Sequence, residues 1–190
     1  ISLIETNSEK IKTLEYYQQY YSNKDIIGSL EIENTNINTL LVKGKNNEYY
    51  LNHSLNKEHD VVGSIFVDYR VNLDSKQINI YGHNSNYYDV VFKELENYVK
   101  EDYYYTHKYI NLWDGNKTNK YEIFSVQIVD TDYEYYDVNP KNWNKHIGKL
   151  KTSIYNTGVE VLDEDDILTI QTCYYKPVNS FLIINSRKVI

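Results

Sequence analysis

Cys173 is the only cysteine in the chain and closes the run Thr169-Ile170-Gln171-Thr172-Cys173, at the end of an apolar stretch and just before a turn-like segment. A thiol there is either a buried small hydrophobe or a nucleophile held at a strand end. With no second cysteine an intramolecular disulfide is impossible, and an unpaired thiol in an oxidising setting is a liability unless it has a use. A thiol of pKa ~8.5 attacks poorly until something lowers that value or removes its proton. A positioned histidine can do either, and the chain offers five: His53, His59, His83, His107 and His146. His53, His59, His107 and His146 lie in polar surroundings or on a helix and read as solvated. Neither Cys-x-x-Cys nor His-x-x-x-His spacing occurs, so no metal and no cofactor is expected.

The elements that must position these groups follow from pattern. Thr6 with Glu9 forms a capping box, and Ile11, Leu14 and Tyr17 recur at helical spacing, which predicts a helix from about Ser8 to Ser22. Short β-type runs separated by Asn, Gly and Asp turns come next: Ile26 to Ile32, Thr39 to Val42, Ser64 to Tyr69, Gln77 to Tyr81, Tyr109 to Trp113, Tyr121 to Asp130, Asp166 to Thr172 and Phe181 to Ile190. Eight such runs suit a closed barrel, giving a mainly β (α+β) fold with peripheral helices. Tyr88, Val91, Leu95 and Val99 step by three or four residues and predict a helix after His83, which places His83 at a strand-to-helix junction. A last helix is expected from the Asn139-Pro140 cap through Trp143, Ile147, Leu150 and Ile154, stopping near Gly158. Residues 1–25 read as a helical segment packed on the barrel and 26–190 as the barrel domain, without repeats or linkers.

Composition narrows the function classes. A chain of 190 residues buries roughly 70% of its unfolded surface in one core. A net charge of −7 and a pI near 5.2 with no basic cluster argue against nucleic acid as a partner. The 22 tyrosines supply either core area with a polar tip or a glycan-binding aromatic surface. Lys43-Gly44-Lys45 lacks the glycine run of a phosphate loop, and the acidic residues Asp163 to Asp166 read as a solvated turn. No stretch approaches the ~20 apolar residues of a membrane span. The chain starts at Ile1 without a methionine, so an upstream segment is expected to have been removed.

The pair Thr169-Ile170-Gln171-Thr172-Cys173 and Ile80-Tyr81-Gly82-His83-Asn84 resembles the motif pair of the sortases, cysteine transpeptidases of Gram-positive cell walls. Asn47-Glu48-Tyr49-Tyr50-Leu51-Asn52-His53, Gly63-Ser64-Ile65-Phe66-Val67-Asp68-Tyr69-Arg70 and Phe124-Ser125-Val126 resemble class B sortases in the same order. The resemblance implies a closed eight-stranded sortase barrel with an N-terminal helix and two peripheral helices. It also implies an outward-facing enzyme on the extracellular face of the membrane, held by an N-terminal anchor. The expected reaction is attack of the Cys173 thiolate on a threonine carbonyl in a C-terminal sorting signal of a secreted protein. His83 protonates the leaving amine, and an amine of the cell-wall precursor resolves the thioester. Asn47, Leu51 and Tyr81 are the implied groove positions, joined by Thr131, Tyr135 and Tyr136, and by Gln171, Thr172 and Tyr174 around the cysteine; each could equally be structural.

The chain departs from the family at an arginine expected at the start of the strand after the cysteine, where it reads Ser180-Phe181. Its only arginines are Arg70 and Arg187. With the last two strands antiparallel, Arg187 lies about six residues past the level of Cys173, roughly 20 Å at ~3.3 Å per residue. Oxyanion support would fall to backbone N–H groups, Lys176 or the Tyr174 hydroxyl, and turnover is expected to be slow. The alternative is a weakly active or inactive sortase-fold module that binds peptide or wall glycan.

Overall fold

A computed structural model describes residues 12–132 and 137–189. The expected eight strands close into one barrel: β1 (Ile26–Ile32), β2 (Asn38–Val42), β3 (Phe66–Val67), β4 (Gln77–Tyr81), β5 (Tyr109–Trp113), β6 (Thr118–Asp130), β7 (Ile167–Tyr174) and β8 (Ser180–Lys188). Around the barrel the order is β1-β2-β3-β4-β7-β8-β6-β5. Two junctions are parallel, β2 with β3 and β4 with β7, and the rest are antiparallel. The period-two alternation of a strand decides what each face carries. On β4, Ile78 and Ile80 point into the barrel with Leu168 and Ile170 of β7 and Leu182 and Ile184 of β8, all buried in the central cluster.

The outer face of this part of the sheet is also covered. Helix α3 (Trp143–Leu150), in the long β6–β7 connection, packs Ile147 and Leu150 on Ile167 and Phe124. Beneath it runs a buried polar ladder. His146 Nε2 donates to Gln77 Oε1 at 2.9 Å, Gln77 Nε2 to Thr169 Oγ1 at 3.0 Å, Thr169 Oγ1 to Asn185 Oδ1 at 2.8 Å, and Asn185 Nδ2 to Ser125 Oγ at 2.9 Å. Satisfied amides of this kind dock the connection in one position, because a half-made network in a low-dielectric site is costly.

Several helix boundaries differ from expectation. Thr6 and Glu9 lie outside the described residues; within them the first helix, α1, covers Leu14–Tyr20 and is capped by Thr13, whose Oγ1 accepts from Tyr16 N at 3.2 Å. Ser22, at φ +50°, turns the chain out of the helix. The segment after His83 is a 3₁₀ helix, Val91–Val99, followed by α2 (Glu101–Thr106). A 3₁₀ helix repeats every three residues, so its buried face is Phe92, Leu95 and Tyr98, while Val91 and Tyr88 are exposed. Seven residues, 84–90, separate His83 from this helix, so it does not sit at a direct strand-to-helix junction. Helix α3 starts at Trp143, capped by Asn142 accepting from Lys145 N at 2.9 Å rather than by Asn139. It ends at Leu150, because Ser153 and Ile154 leave it to hydrogen-bond with Val126. Strand β3 is shorter than the Ser64 to Tyr69 run, bounded by Gly63 at φ +61° and by the turn in which Val71 N reaches Asp68 O.

Three of the remaining histidines correct the solvated reading, while His59 is exposed as expected. His146 is buried, and His53 and His107 stack on Tyr49 and Tyr103 at 3.9 and 3.7 Å between ring centres. Burial lowers the pKa of His146, with Lys149 acting the same way and Asp137 opposing. A folded pKa below the unfolded value of ~6.5 means that the unfolded chain takes up the proton first. Stability from this site is therefore complete above that pH and lost as pH falls through it. Thermal melts should show Tm dropping from about pH 7 to about pH 5, and His146→Gln, which keeps a donor for Gln77, should reduce that slope.

Candidate active site

The parallel pairing of β4 with β7 brings the two motifs side by side. Tyr81 pairs with Gln171, Gly82 N donates to Gln171 O at 3.3 Å, and Thr172 Oγ1 donates back to Gly82 O at 2.8 Å. His83 and Cys173 each lie two residues beyond the Tyr81–Gln171 pair, so the parallel register delivers both to the same edge of the barrel; Cys173, still within β7, is on the outer side of the sheet, and His83 lies two residues past the end of β4. Gly82 allows close packing: a Cβ there would collide with Ile65 Cδ1 and Phe92 Cδ2, so only glycine lets the 3₁₀ helix come down beside the end of β4.

His83 Nε2 lies 2.6 Å from the main-chain carbonyl of Leu51. A carbonyl can only accept, so Nε2 carries the proton and Nδ1 is the basic nitrogen of the neutral ring. Leu51 belongs to the 3₁₀ turn Tyr49–Leu51, which Tyr50 anchors by accepting from Asn23 Nδ2 at 3.0 Å and donating to Asp25 Oδ2 at 2.7 Å. The Leu51 side chain is exposed. Cys173 is partly buried, and that burial pushes its thiol pKa above the ordinary value. At neutral pH the thiol is protonated and needs a base.

The other residues singled out by sequence divide. Asn47 and Tyr81 both hydrogen-bond to the buried Asp68: Asn47 Nδ2 and Tyr81 Oη reach Oδ2 at 2.9 and 3.0 Å. Arg70 holds the same carboxylate through Nε at 2.9 Å and Nη2 at 2.7 Å. Burial raises the pKa of Asp68, but Arg70, Asn47 and Tyr81 outweigh it and hold the carboxyl below its usual range. Gln171 is buried on the face that carries Cys173, and Thr172 is committed to Gly82. Tyr174 has the opposite parity, packs in the barrel core and does not share the face of Cys173. Thr131 is exposed, its N–H donating to Asn179 O at 3.3 Å. Tyr135 and Tyr136 lie outside the described residues.

The arginines keep to other tasks. Cys173 pairs with Phe181 while Arg187 pairs with Ile167 at the far end of β7. Arg187 Nη2 donates to Glu122 at 3.1 Å, and Nη1 lies 3.8 Å from Asp165. Missed by the sequence reading were Asp68, Glu96 and the side chain of Asn84. Asn84 could have been found, since it follows His83 directly; Glu96 carries no local signal.

Comparisons with known proteins identify the family. A sortase domain model matches residues 30–190, and the chain belongs to the sortase family. Within that family its similarity is to class B. Sortase B of Listeria monocytogenes is 34% identical over 158 residues, covering 80% of this chain, and sortase B of Staphylococcus aureus is 34% identical over 163 residues with the same coverage. The chain spans 63% and 64% of the length of those two relatives. Among solved structures, Clostridium perfringens sortase B superposes with a TM-score of 0.85 at 30% identity, covering 93% of this chain and 99% of the other. The Staphylococcus aureus sortase B-substrate complex gives 0.83 at 26% identity, covering 94% and 87%. Among the described residues no helix is long and apolar enough to cross a membrane.

Removing the Asp68 charge tests how much the site wall depends on it. Asp68→Ala would leave Arg70 without its bidentate partner and Tyr81 without an acceptor. Arg70 is exposed and regains water, so the cost falls on the buried Tyr81 hydroxyl left without its acceptor, about 1–3 kcal/mol, read as a lowered urea midpoint at unchanged slope.

Proposed function

We propose that the chain is a class B sortase-type cysteine transpeptidase of the cell envelope, with Cys173 as nucleophile and His83 as acid and base. The observation that supports this reading is the parallel register of β4 with β7, which delivers the segments carrying His83 and Cys173 to the same edge of the barrel. The His83 tautomer is fixed by the Leu51 carbonyl.

The thiol pKa is raised by burial, so a standing thiolate is a small fraction of the enzyme. His83 therefore takes the thiol proton as sulfur attacks the threonine carbonyl of a sorting signal. The imidazolium returns that proton to the departing amine when the C–N bond breaks, leaving a thioester on Cys173. An amine from the cell-wall precursor then adds to the thioester, His83 accepts its proton, and the thiolate leaves and is reprotonated. Amide is exchanged for amide, so no external energy source is needed. Asn47, Leu51, Tyr81, Gln171 and Thr172 line or support the groove, Asn47 and Tyr81 through Asp68. Thr131, Tyr135 and Tyr136 are proposed groove residues on the strength of the resemblance alone.

One observation favours a second reading. Arg70 is held by Asp68 and Arg187 by Glu122 and Asp165, so neither guanidinium is presented to Cys173. A sortase-fold module that binds a peptide without turning it over would look the same. Incubation with a library of Thr-Gly and Thr-Asn peptides, followed by intact-mass analysis, separates the two: a thioester adduct on Cys173 marks the enzyme, whereas retention of peptide without an adduct marks the binder.

For a peptide that forms the adduct, Cys173→Ala should abolish cleavage with little change in Tm. His83→Ala should lower turnover by at least the ~10²-fold to 10⁴-fold of a lost acid–base group. Alanine at His53, His59, His107 or His146 should not. Arg187→Ala should leave turnover unchanged, and a turnover loss there comparable to that of His83→Ala would require a different oxyanion partner.

A further inference from the structure

Asn84 follows His83 directly and is 2% exposed. Its Nδ2 lies 3.0 Å from the main-chain carbonyl of Cys173 and 2.6 Å from Glu96 Oε1. Both neighbours are acceptors, so the atom between them must be the amide nitrogen, and the usual ambiguity between the oxygen and nitrogen of an asparagine is removed by chemistry. The main-chain carbonyl of Asn84 accepts from the Tyr175 hydroxyl at 2.8 Å. One residue thus joins the His83 segment to the cysteine itself and to the chain two residues beyond it.

The amide is oriented from outside. Glu96 also accepts from Lys93 Nζ at 2.9 Å. Burial pushes its carboxyl up, but Asn84 and Lys93 outweigh that and Lys176 adds to them, so Glu96 is ionised at neutral pH. An ionised carboxylate admits only the N–H face of the amide. Asn84 Oδ1, meanwhile, is buried without a hydrogen-bond partner among the described residues. A buried acceptor left in that state costs ~1–3 kcal/mol. The orientation is therefore set by Glu96 and the Cys173 carbonyl, against the interest of the amide's own oxygen, as is expected where geometry at a site outranks stability.

We propose that Asn84 is the positioning residue of this site: locked by Glu96, its amide clamps the Cys173 carbonyl and so fixes the thiol relative to the His83 imidazole. The proposal rests on the reading of Cys173 and His83 given above. Without the clamp, β7 and the segment after β4 would remain paired up to Gly82 and Thr172, but the direct bond from the residue after His83 to Cys173 would be gone, leaving the Tyr175 hydroxyl on the Asn84 carbonyl as the side-chain link past that point. Proton transfer depends steeply on such registration, and a misplacement of ~1 Å can cost ~10²-fold.

The test needs no knowledge of the sorting signal. Iodoacetamide alkylation of Cys173 forms an S–C bond and releases iodide, with the thiol proton taken by His83 or by solvent. Its second-order rate is measured by intact mass from about pH 6 to about pH 10 for the wild type, His83→Ala, Asn84→Ala and Glu96→Gln. Asn84→Ala should be about tenfold slower than wild type near neutrality yet agree with it at the alkaline end, where the thiol ionises unaided. Glu96→Gln, a change of charge at a partly exposed side chain, should shift the profile in the same direction and serves if Asn84→Ala fails to fold. A wild-type profile for both variants overturns the clamp, and so does an equal loss at both ends of the pH range, which marks plain structural damage. If His83→Ala slows the neutral reaction while the other two do not, only the clamp falls. If His83→Ala leaves the neutral rate untouched, the Cys173–His83 reading fails and takes the clamp with it.

Discussion

The parallel pairing of β4 with β7 is the constraint from which the site follows. An antiparallel neighbour would bring the start of one strand to the end of the other. In a parallel ladder both strands end together, and whatever follows each is delivered to the same edge of the barrel. Register then matters to a single residue, because a slip of one would turn Cys173 inward, where Tyr174 now packs. Apolar packing inside and the polar ladder under α3 outside hold that register from both faces. Gln77, at the far end of β4, adds a side-chain pin by donating to Thr169 of β7.

Much of this was legible in the sequence. The strand runs at Ile26 to Ile32, Gln77 to Tyr81 and Tyr109 to Trp113 coincide with β1, β4 and β5 because alternating or continuous apolar residues bounded by turn formers leave little choice. The distance of Arg187 from Cys173 followed from strand spacing alone and agrees with the register of β7 with β8. The helices were less legible for a physical reason. Apolar residues near a period of three and a half suit an α-helix, yet Phe92, Leu95 and Tyr98 at a period of three are what the packed segment buries. Which set wins is decided by the surface underneath, at Gly82 and Ile65, and not by local propensity.

Side-chain partnerships were least legible. Asp68 lies in a motif that sequence reading noticed only for its order along the chain. Its role depends on Asn47, Arg70 and Tyr81 converging from three separate segments. His146 misled because a histidine on an amphipathic helix gives no sign of which face it occupies until the partner sheet is known. Tyr174 misled in the opposite way: proximity in sequence to a reactive residue says nothing about sharing its face, since neighbours on a strand point apart.

The hydrogen bond between Thr172 and Gly82 spans 90 residues of chain, and this separation has a kinetic consequence. Contacts that close such long loops form late, because loop-closure entropy must be met before they contribute anything. The hairpin of β7 with β8 and the pairing of β1 with β2 are local and can form early; the seam of β4 with β7 cannot. Assembly of the site therefore belongs to the late phase of folding, after the local hairpins have formed.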